Sequence, residues 1–398
     1  MLINNRNSRL VLILTFFATV LPPLGNDIYF ASLPTMAHDL HTAHIGWVVS
    51  MYLVGFALAQ LFYGPLSERF GRRPLLITAI SLVLVGCVVI WLTPNFTVFL
   101  VARFIQAVGA CGTLCMVLAI IRDSYQPEAI VKVSGVLFAV LGFVPAFAPL
   151  LGSLVASVGS WRTDFLLIIV IAALILFAVV MLFSESIAQK NPDALRFKSI
   201  IHSYRRLLSM GGYMSFCLVS CFSYACFFSF ICASPYLLIK PFGLSMVDYG
   251  WLIALNGMGI VLVGFLVPLL SRRFSVSSLA LSGSMVIMLG AVLMWVLNSG
   301  TQLHALWRIM LPGFVVFTGV GFIRPTASAG ALTQAPRELT GPASALFSFL
   351  AFIGGAVFSL LGQYAGASVM HLSAILFVAG GLTLAAAVWA RKVCGNDK

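Results

Sequence analysis

Charge is what this sequence has least of. Only 9% of its 398 residues are Asp, Glu, Lys or Arg, against roughly 25% in an ordinary soluble domain, and Asp and Glu together number 11. With 61% apolar residues beside them, no soluble fold has enough polar surface to cover itself, and disordered, collagen-like and disulfide-scaffold chains are excluded as well. A GxxxxGK[ST] phosphate loop is also missing, which argues against an ATP-driven pump on this chain and leaves a gradient or a partner as energy source. The apolar run after Arg6 and Arg9 continues through Pro22, Pro23 and Asp27 to Ser32 without a convincing small-residue cleavage site, so it reads as a retained first helix.

What is present is one apolar stretch after another. Each crossing of the bilayer core needs about 20 apolar residues, and the runs predict spans at 10–33, 45–65, 74–93, 97–121, 131–156, 163–183, 212–238, 247–270, 277–298, 304–329, 340–364 and 368–390. The fold class expected is an all-α membrane protein of twelve helices in two six-helix bundles. The net charge of +12 and a pI near 9.6 would suggest nucleic acid in a soluble chain. Here 18 of 23 Lys and Arg fall on one side if both termini are cytoplasmic: the tails, Arg69, Arg72 and Arg73, Arg122 and Lys132, the 184–210 stretch, Arg272 and Arg273, and Arg337. Only Arg162 and Lys240 fall in loops of the other side, which is the positive-inside pattern of a multi-pass inner-membrane protein. No nucleic-acid partner is expected.

Residues 184–210 are the longest polar stretch and divide the chain into bundles at 1–183 and 211–398, the plan of transporters with two parallel repeats. A weak internal match, Arg103 seven residues after Phe96 and Arg308 seven after Thr301, fits that plan. The eight cysteines fall inside spans, apart from Cys394, as small apolar residues. His38, His41 and His44 in the first outer loop have a spacing that a helix would place on one face, though solvation is the simpler reading. No metal, no cofactor and no catalytic residue is expected.

Asp27 is the only acid the sequence places deep in a span, where a charge costs at least about 2.5 to 3.5 kcal/mol. Asp27 and Arg103 both lie six residues from the outer ends of their spans, roughly 9 Å deep at 1.5 Å per residue, so they are placed to meet. Burial favours the neutral carboxyl and a guanidinium the ionised one, so moving Arg103 or admitting a substrate would switch Asp27, as proton coupling requires. A permanent ion pair fixing helix packing is the alternative.

The segment Gly64-Pro-Leu-Ser-Glu68-Arg69-Phe-Gly71-Arg72-Arg73-Pro74 joins the second and third spans. Gly64 suits close helix approach, Gly71 a sharp reversal and Pro74 a helix start. The pattern resembles the signature loop of the major facilitator superfamily, with Glu68 where Asp is usual. Asp27-Ile-Tyr29-Phe-Ala-Ser-Leu-Pro34 and Arg103-Phe-Ile-Gln106-Ala107 resemble elements of the Bcr/CflA-type drug/proton antiporters. Arg122-Asp123, Ala148-Pro149-Leu-Leu-Gly152, Ser234-Pro235-Tyr236, Asn256 and Ser344-Ala345 also fall where that family has similar residues.

The resemblance implies a monomeric exporter, not an enzyme, in which protons are exchanged for a small-molecule substrate by alternating access to a central cavity. Asp27 and Arg103 would carry proton coupling, and Gly64, Glu68, Arg69, Gly71, Arg72 and Arg73 would form the cytoplasmic gate. Pro145, Pro149 and Gly152 would represent the antiporter motif, which is degenerate at Val144, Ala148 and Ser153. Thr19 stands where some multidrug members carry a second acid, so exchange of one proton is the simplest expectation. Candidates for the substrate pocket are Asn26, Tyr29, Tyr52, Gln106, Phe138, Tyr224, Phe228, Tyr236, Asn256, Arg308, Arg324 and Phe349. Arg324 either snorkels to the headgroups or faces the cavity. If it faces the cavity, three arginines against one aspartate favour an anionic or zwitterionic substrate, such as a carboxylate metabolite or siderophore. A transport-dead sensor is the remaining alternative, and the intact loop argues against it.

Overall fold

The computed structural model describes residues 5–187, 190–195, 197–299, 305–365 and 368–394. Its described residues form helices and 3-10 turns without a strand. In chain order the helices are α1 (Asn5–Asp27), α2 (Leu33–Asp39), α3 (Trp47–Phe70), α4 (Arg72–Leu92), α5 (Phe96–Ser124), α6 (Pro127–Val158) and α7 (Trp161–Leu182). The short α8 (Phe197–Leu208) precedes α9 (Gly211–Phe242), α10 (Met246–Leu270), α11 (Val276–Asn298), α12 (Trp307–Gln334), α13 (Thr340–Ala365) and α14 (Val369–Cys394). Eleven helices among the described residues are long and apolar enough to cross a membrane, and α1 takes the place of the first expected span.

Local chemistry sets many of the boundaries. Asn95 caps α5 by accepting from Val98 N–H at 3.1 Å, Ser160 accepts from Arg162 N–H at 3.3 Å, and Ser245 and Asp248 form a reciprocal capping box on α10. Gly71, with φ +104°, turns the chain between α3 and α4, a conformation glycine alone adopts without strain.

Three expectations change. The first helix stops at Asp27, not at residue 33, and is followed by a buried 3-10 turn, Phe30–Ser32, and by α2, which has Pro34 in its first turn. Proline suits a helix start because its missing N–H would be unpaired there anyway. Of the three outer-loop histidines only His38 is helical, and His41 has φ +47°, so they do not share a helix face; no metal-binding group occurs among the described residues. The repeat match is also out of step, because Arg308 is the second residue of α12 whereas Arg103 is the eighth of α5. Thr301 lies outside the described residues.

The helices assemble in two sets. In the first, α4 packs between α5 and α7, α3 lies on α5, and α1 packs against α5, α6 and α7. In the second, α9 packs on α13, α14 and α12, while α11 lies between α12 and α14. The sets meet along two seams, α3 with α13 and α6 with α10. The end bearing Arg69, Arg72 and Arg73 is called here the basic end, and the opposite one, with His38, His41 and His44, the histidine end. Helix α8 links the sets at the basic end, where Tyr204 donates to the carbonyl of Leu61 at 2.9 Å.

Candidate functional site

Asp27 ends α1 where the two sets adjoin and is only 4% exposed. Its carboxyl accepts from the Asn26 amide at 2.5 Å. Arg103, wholly buried on α5, does not pair with it: no Asp27–Arg103 contact of 4 Å or less occurs among the ion pairs of the described residues. The Arg103 guanidinium donates instead to the Gly25 carbonyl at 2.9 Å, the Gln106 amide oxygen at 2.6 Å, the Tyr29 hydroxyl at 2.7 Å and the Val48 carbonyl at 3.4 Å. It is sandwiched between the Tyr29 and Tyr52 rings, each centroid 4.5 Å away. Tyr52 in turn donates to the Pro22 carbonyl at 2.8 Å. Gly25 permits this closeness, because a Cβ there would lie 3.2 Å from the Gln106 side chain. Arg103 thus fixes the end of α1 and leaves Asp27 with an amide partner but no cation in contact.

Arg324 is half-buried on α12. Its guanidinium lies 5.5 Å over the Tyr224 ring, and its charge, like that of Arg103, bears on the Asp27 carboxyl. Tyr224 leads to Phe352 at 5.4 Å and thence to Phe56 at 4.5 Å, an aromatic chain from α9 to α13 to α3 across the seam. Phe228 continues it, 6.1 Å from Tyr224. Asn256 on α10 is buried with neither side-chain polar atom hydrogen-bonded, packed against Gly313. Phe349 and Tyr236 are half-buried against the core. Arg308 sits over the exposed Trp307 ring in the first turn of α12 and belongs to the helix end. The Phe138 side chain lies outside the described residues.

The expected gate loop is held chiefly by Arg72. This side chain, 3% exposed, pairs with Asp123 at 2.9 Å and donates to Ser67. Glu185, from the stretch after α7, accepts from the backbone N–H groups of Arg72 at 2.9 Å and Arg73 at 3.3 Å, and so caps α4. The Glu68 carbonyl accepts from Asn191 at 2.9 Å, Arg73 reaches the Val180 carbonyl at 2.8 Å, and Arg69 lies over Phe70. Gly64, expected at a close helix approach, meets nothing within 4 Å of where a Cβ would stand.

The histidine end carries a clasp and an acid that the sequence did not single out. Gln363 of α13 accepts from Gly46 N–H at 2.8 Å and donates to the Ala43 carbonyl, and Ser50 of α3 bonds the Ala356 carbonyl at 2.9 Å and the Ser359 hydroxyl at 2.6 Å. On the other seam, a Cβ on Gly257 would lie 2.5 Å from the Ala146 methyl and one on Gly250 2.4 Å from Ser153 Oγ. Gly152 crosses the backbone of Ile28 so closely that any Cβ would collide with its carbonyl. Toward the basic end, Gly64, Gly264 and Gly341 all face open space. Asp164, in the first turn of α7, is a second buried acid besides Asp27. Its position in the first turn of α7 made it look like an ordinary helix-start acid.

A sequence model described as Major Facilitator Superfamily matches residues 15–359. Multidrug resistance protein D of Escherichia coli (strain K12) is 28% identical over 389 residues, 96% of this chain and 96% of that protein. Multidrug resistance protein MdtL of the same strain is 28% identical over 387 residues, 94% of this chain and 97% of that protein. Among solved structures, a peptide transporter POT in complex with sulfate matches with a TM-score of 0.79 at 14% identity, covering 97% of this chain and 94% of that one. A D-xylose-proton symporter matches with a TM-score of 0.74 at 16% identity, covering 96% and 97%.

Proposed function

The chain belongs to the Major Facilitator Superfamily and is a multi-pass membrane transporter, not an enzyme; from that premise we propose that it exports amphiphilic organic molecules in exchange for protons. The observation that carries this reading is Asp27, a buried carboxyl at the junction of the two helix sets that has an amide partner but no cation in contact. A carboxyl locked in an ion pair holds its charge through the cycle. One within the field of two arginines, yet bound by neither, changes protonation when those charges move or a substrate enters. The similarity to two multidrug resistance proteins over nearly their whole length supports efflux of drug-like molecules.

In the proposed cycle the chain sits in a bacterial inner membrane, as a monomer, with the basic end and both termini in the cytoplasm. The conformation described here, clasped at the histidine end, would face inward. Arg72, Asp123, Ser67 and Glu185 would tighten the gate loop when the basic end closes, and Pro145 and Pro149 would let α6 bend between the two states. Substrate binding among Tyr224, Phe228, Phe349 and Asn256 would displace the proton of Asp27. The test is Asp27→Asn in liposomes with a fluorescent organic cation and a pH-sensitive dye: proton counterflow is lost while substrate still binds. Counterflow that persists unchanged in the variant would remove Asp27 from coupling.

One observation favours a second reading, a carrier for an anionic or zwitterionic metabolite or siderophore. Arg324 is half-buried over Tyr224, and with Arg103 it would set two cations against one carboxylate around the proposed pocket.

A further inference from the structure

Asp164 fills neither usual role of an acid at a helix start. The cap of α7 is made by Ser160, and no basic side chain lies within 4 Å of Asp164 among the ion pairs of the described residues. The carboxyl is wholly buried. Its Oδ2 accepts from Ser32 Oγ at 3.4 Å, and its Oδ1 has no hydrogen-bond partner. Ser32 closes the 3-10 turn Phe30–Ser32, a fully buried piece of backbone that packs on α6 of the first helix set and on α9 and α10 of the second. Asp164 therefore touches the wedge that seals the histidine end.

The surrounding charges are otherwise engaged. Arg103 on α5 is committed to Gly25, Gln106 and Tyr29, the residue just before the 3-10 turn. Arg162, on α7 itself, turns to the carbonyls of Trp91 and Thr93 at the end of α4, each 3.2 Å away. Asp39 at the end of α2 is held below the usual carboxylate range by the Trp161 indole, which donates at 2.9 Å, and by His38. On the facing helices, Cys232 and the Ser234–Tyr249 hydroxyl pair lie between α9 and α10, Lys240 ends α9 exposed, and Asp248 caps α10 through Ser245. From α6, Ser153 donates to its own Leu150 carbonyl.

An ionised carboxylate in that setting loses its hydration and gains no counter-charge, which costs several kcal/mol. A neutral acid loses much less and offers one O–H donor. Opening the histidine end admits water and removes the difference. We propose that Asp164 is a proton-binding site of this gate: it takes a proton from the water on the histidine-end side as that end closes around Ser32, and returns it to the same side on opening. A hydronium ion supplies the proton, an O–H bond forms at Asp164, and water remains. The site biases the conformational equilibrium toward closure in acid without adding to the protons carried across. It rests on the alternating-gate reading above and is independent of whether Asp27 carries the exchanged proton.

The test uses the full chain, in a background free of native cysteines, reconstituted in liposomes with spin labels at Val158→Cys and Trp251→Cys, exposed positions on the two sets at this end. Lowering the pH from about 8 to about 5, across the range in which a perturbed carboxyl titrates, shifts the otherwise unmodified protein from the long to the short inter-label distance. Asp164→Asn, which mimics the neutral acid, holds the short distance at every pH, while Asp27→Asn keeps the pH response. A variant Asp164→Asn that titrates like its parent overturns the proposal, as does loss of the response in Asp27→Asn alone. Should Asp164→Asn fail to fold, Ser32→Ala removes a partner of the acid in the closed state and moves the midpoint down by about 0.5 to 1 pH unit; an unmoved midpoint overturns the proposal. Proton counterflow in the same liposomes, compared between the parent and Asp27→Asn, reports on Asp27 separately.

Discussion

Arg103 and Arg324 are the same residue type doing different work. Arg103 gives its donors to the Gly25 carbonyl, the Tyr29 hydroxyl and the Gln106 amide and lies between two tyrosine rings, so it fixes the end of α1. Arg324 lies over the Tyr224 ring, and its charge acts on Asp27. Arg324→Ala is expected to weaken polycarboxylate binding at least about tenfold, on the scale of one desolvated charge-assisted contact of about 1.5 to 3 kcal/mol. Neutral and cationic ligands should bind as well or better; a ligand-induced stability screen of parent and variant reads this directly, and an unchanged ranking would leave Arg324 outside the pocket. Asp27 and Arg103 were legible in the sequence because charge is so rare in it. The partners of Arg103 were not, since a guanidinium donates to carbonyl, phenol and amide oxygens equally well and spacing does not choose among them. Asp164 was hidden for a related reason: an acid in the first turn of a helix is ordinary until its neighbours remove it from water.

Among the elements, α6 shows how far a local motif reaches. Pro145, Pro149 and Gly152 were expected as the antiporter motif, and α6 runs without a break through both prolines. Gly152 has the sharper role, since α6 crosses the Ile28 backbone where no side chain fits. A bulky residue there cannot be relieved by a rotamer, because the atom it meets is a carbonyl. Gly152→Val should therefore oppose closure of the histidine end by about 1 to 3 kcal/mol, a shift of roughly five- to more than a hundredfold in the closed population. The label pair at Val158 and Trp251 would report it as a gain of the long distance at all pH values; an unaltered distribution would show that α6 does not bear on that gate. Helix boundaries were mostly legible, since apolar runs and caps such as Asn95, Ser160 and Ser245 are local signals. The end of α1 was not, because the apolar run passes through Asp27 while the chain turns there into the 3-10 wedge.

At the level of the whole molecule, two helix sets touch along α3 with α13 and α6 with α10, and the contacts found there gather toward the histidine end. Hydrogen bonds through Ser50, Ser359 and Gln363 close one seam and glycines against Ala146 and Ser153 close the other. Because the Ser50 and Ser359 hydroxyls lie 2.6 Å apart, paired cysteines at these positions, with the native cysteines replaced, should cross-link α3 to α13 under mild oxidation. Transport in liposomes is expected to stop on oxidation and return with reductant; transport that continues through the cross-link would mean that this seam does not open in the cycle. The sequence by itself determined that the chain crosses the membrane many times and that charge inside its spans is scarce, because hydropathy and charge are properties of composition and order. Only the tertiary structure decided which groups those charges touch, that Asp164 is a second buried acid, and which end of the molecule is clasped. Those depend on side chains from distant helices meeting across a seam, and no local pattern records which faces are turned toward one another.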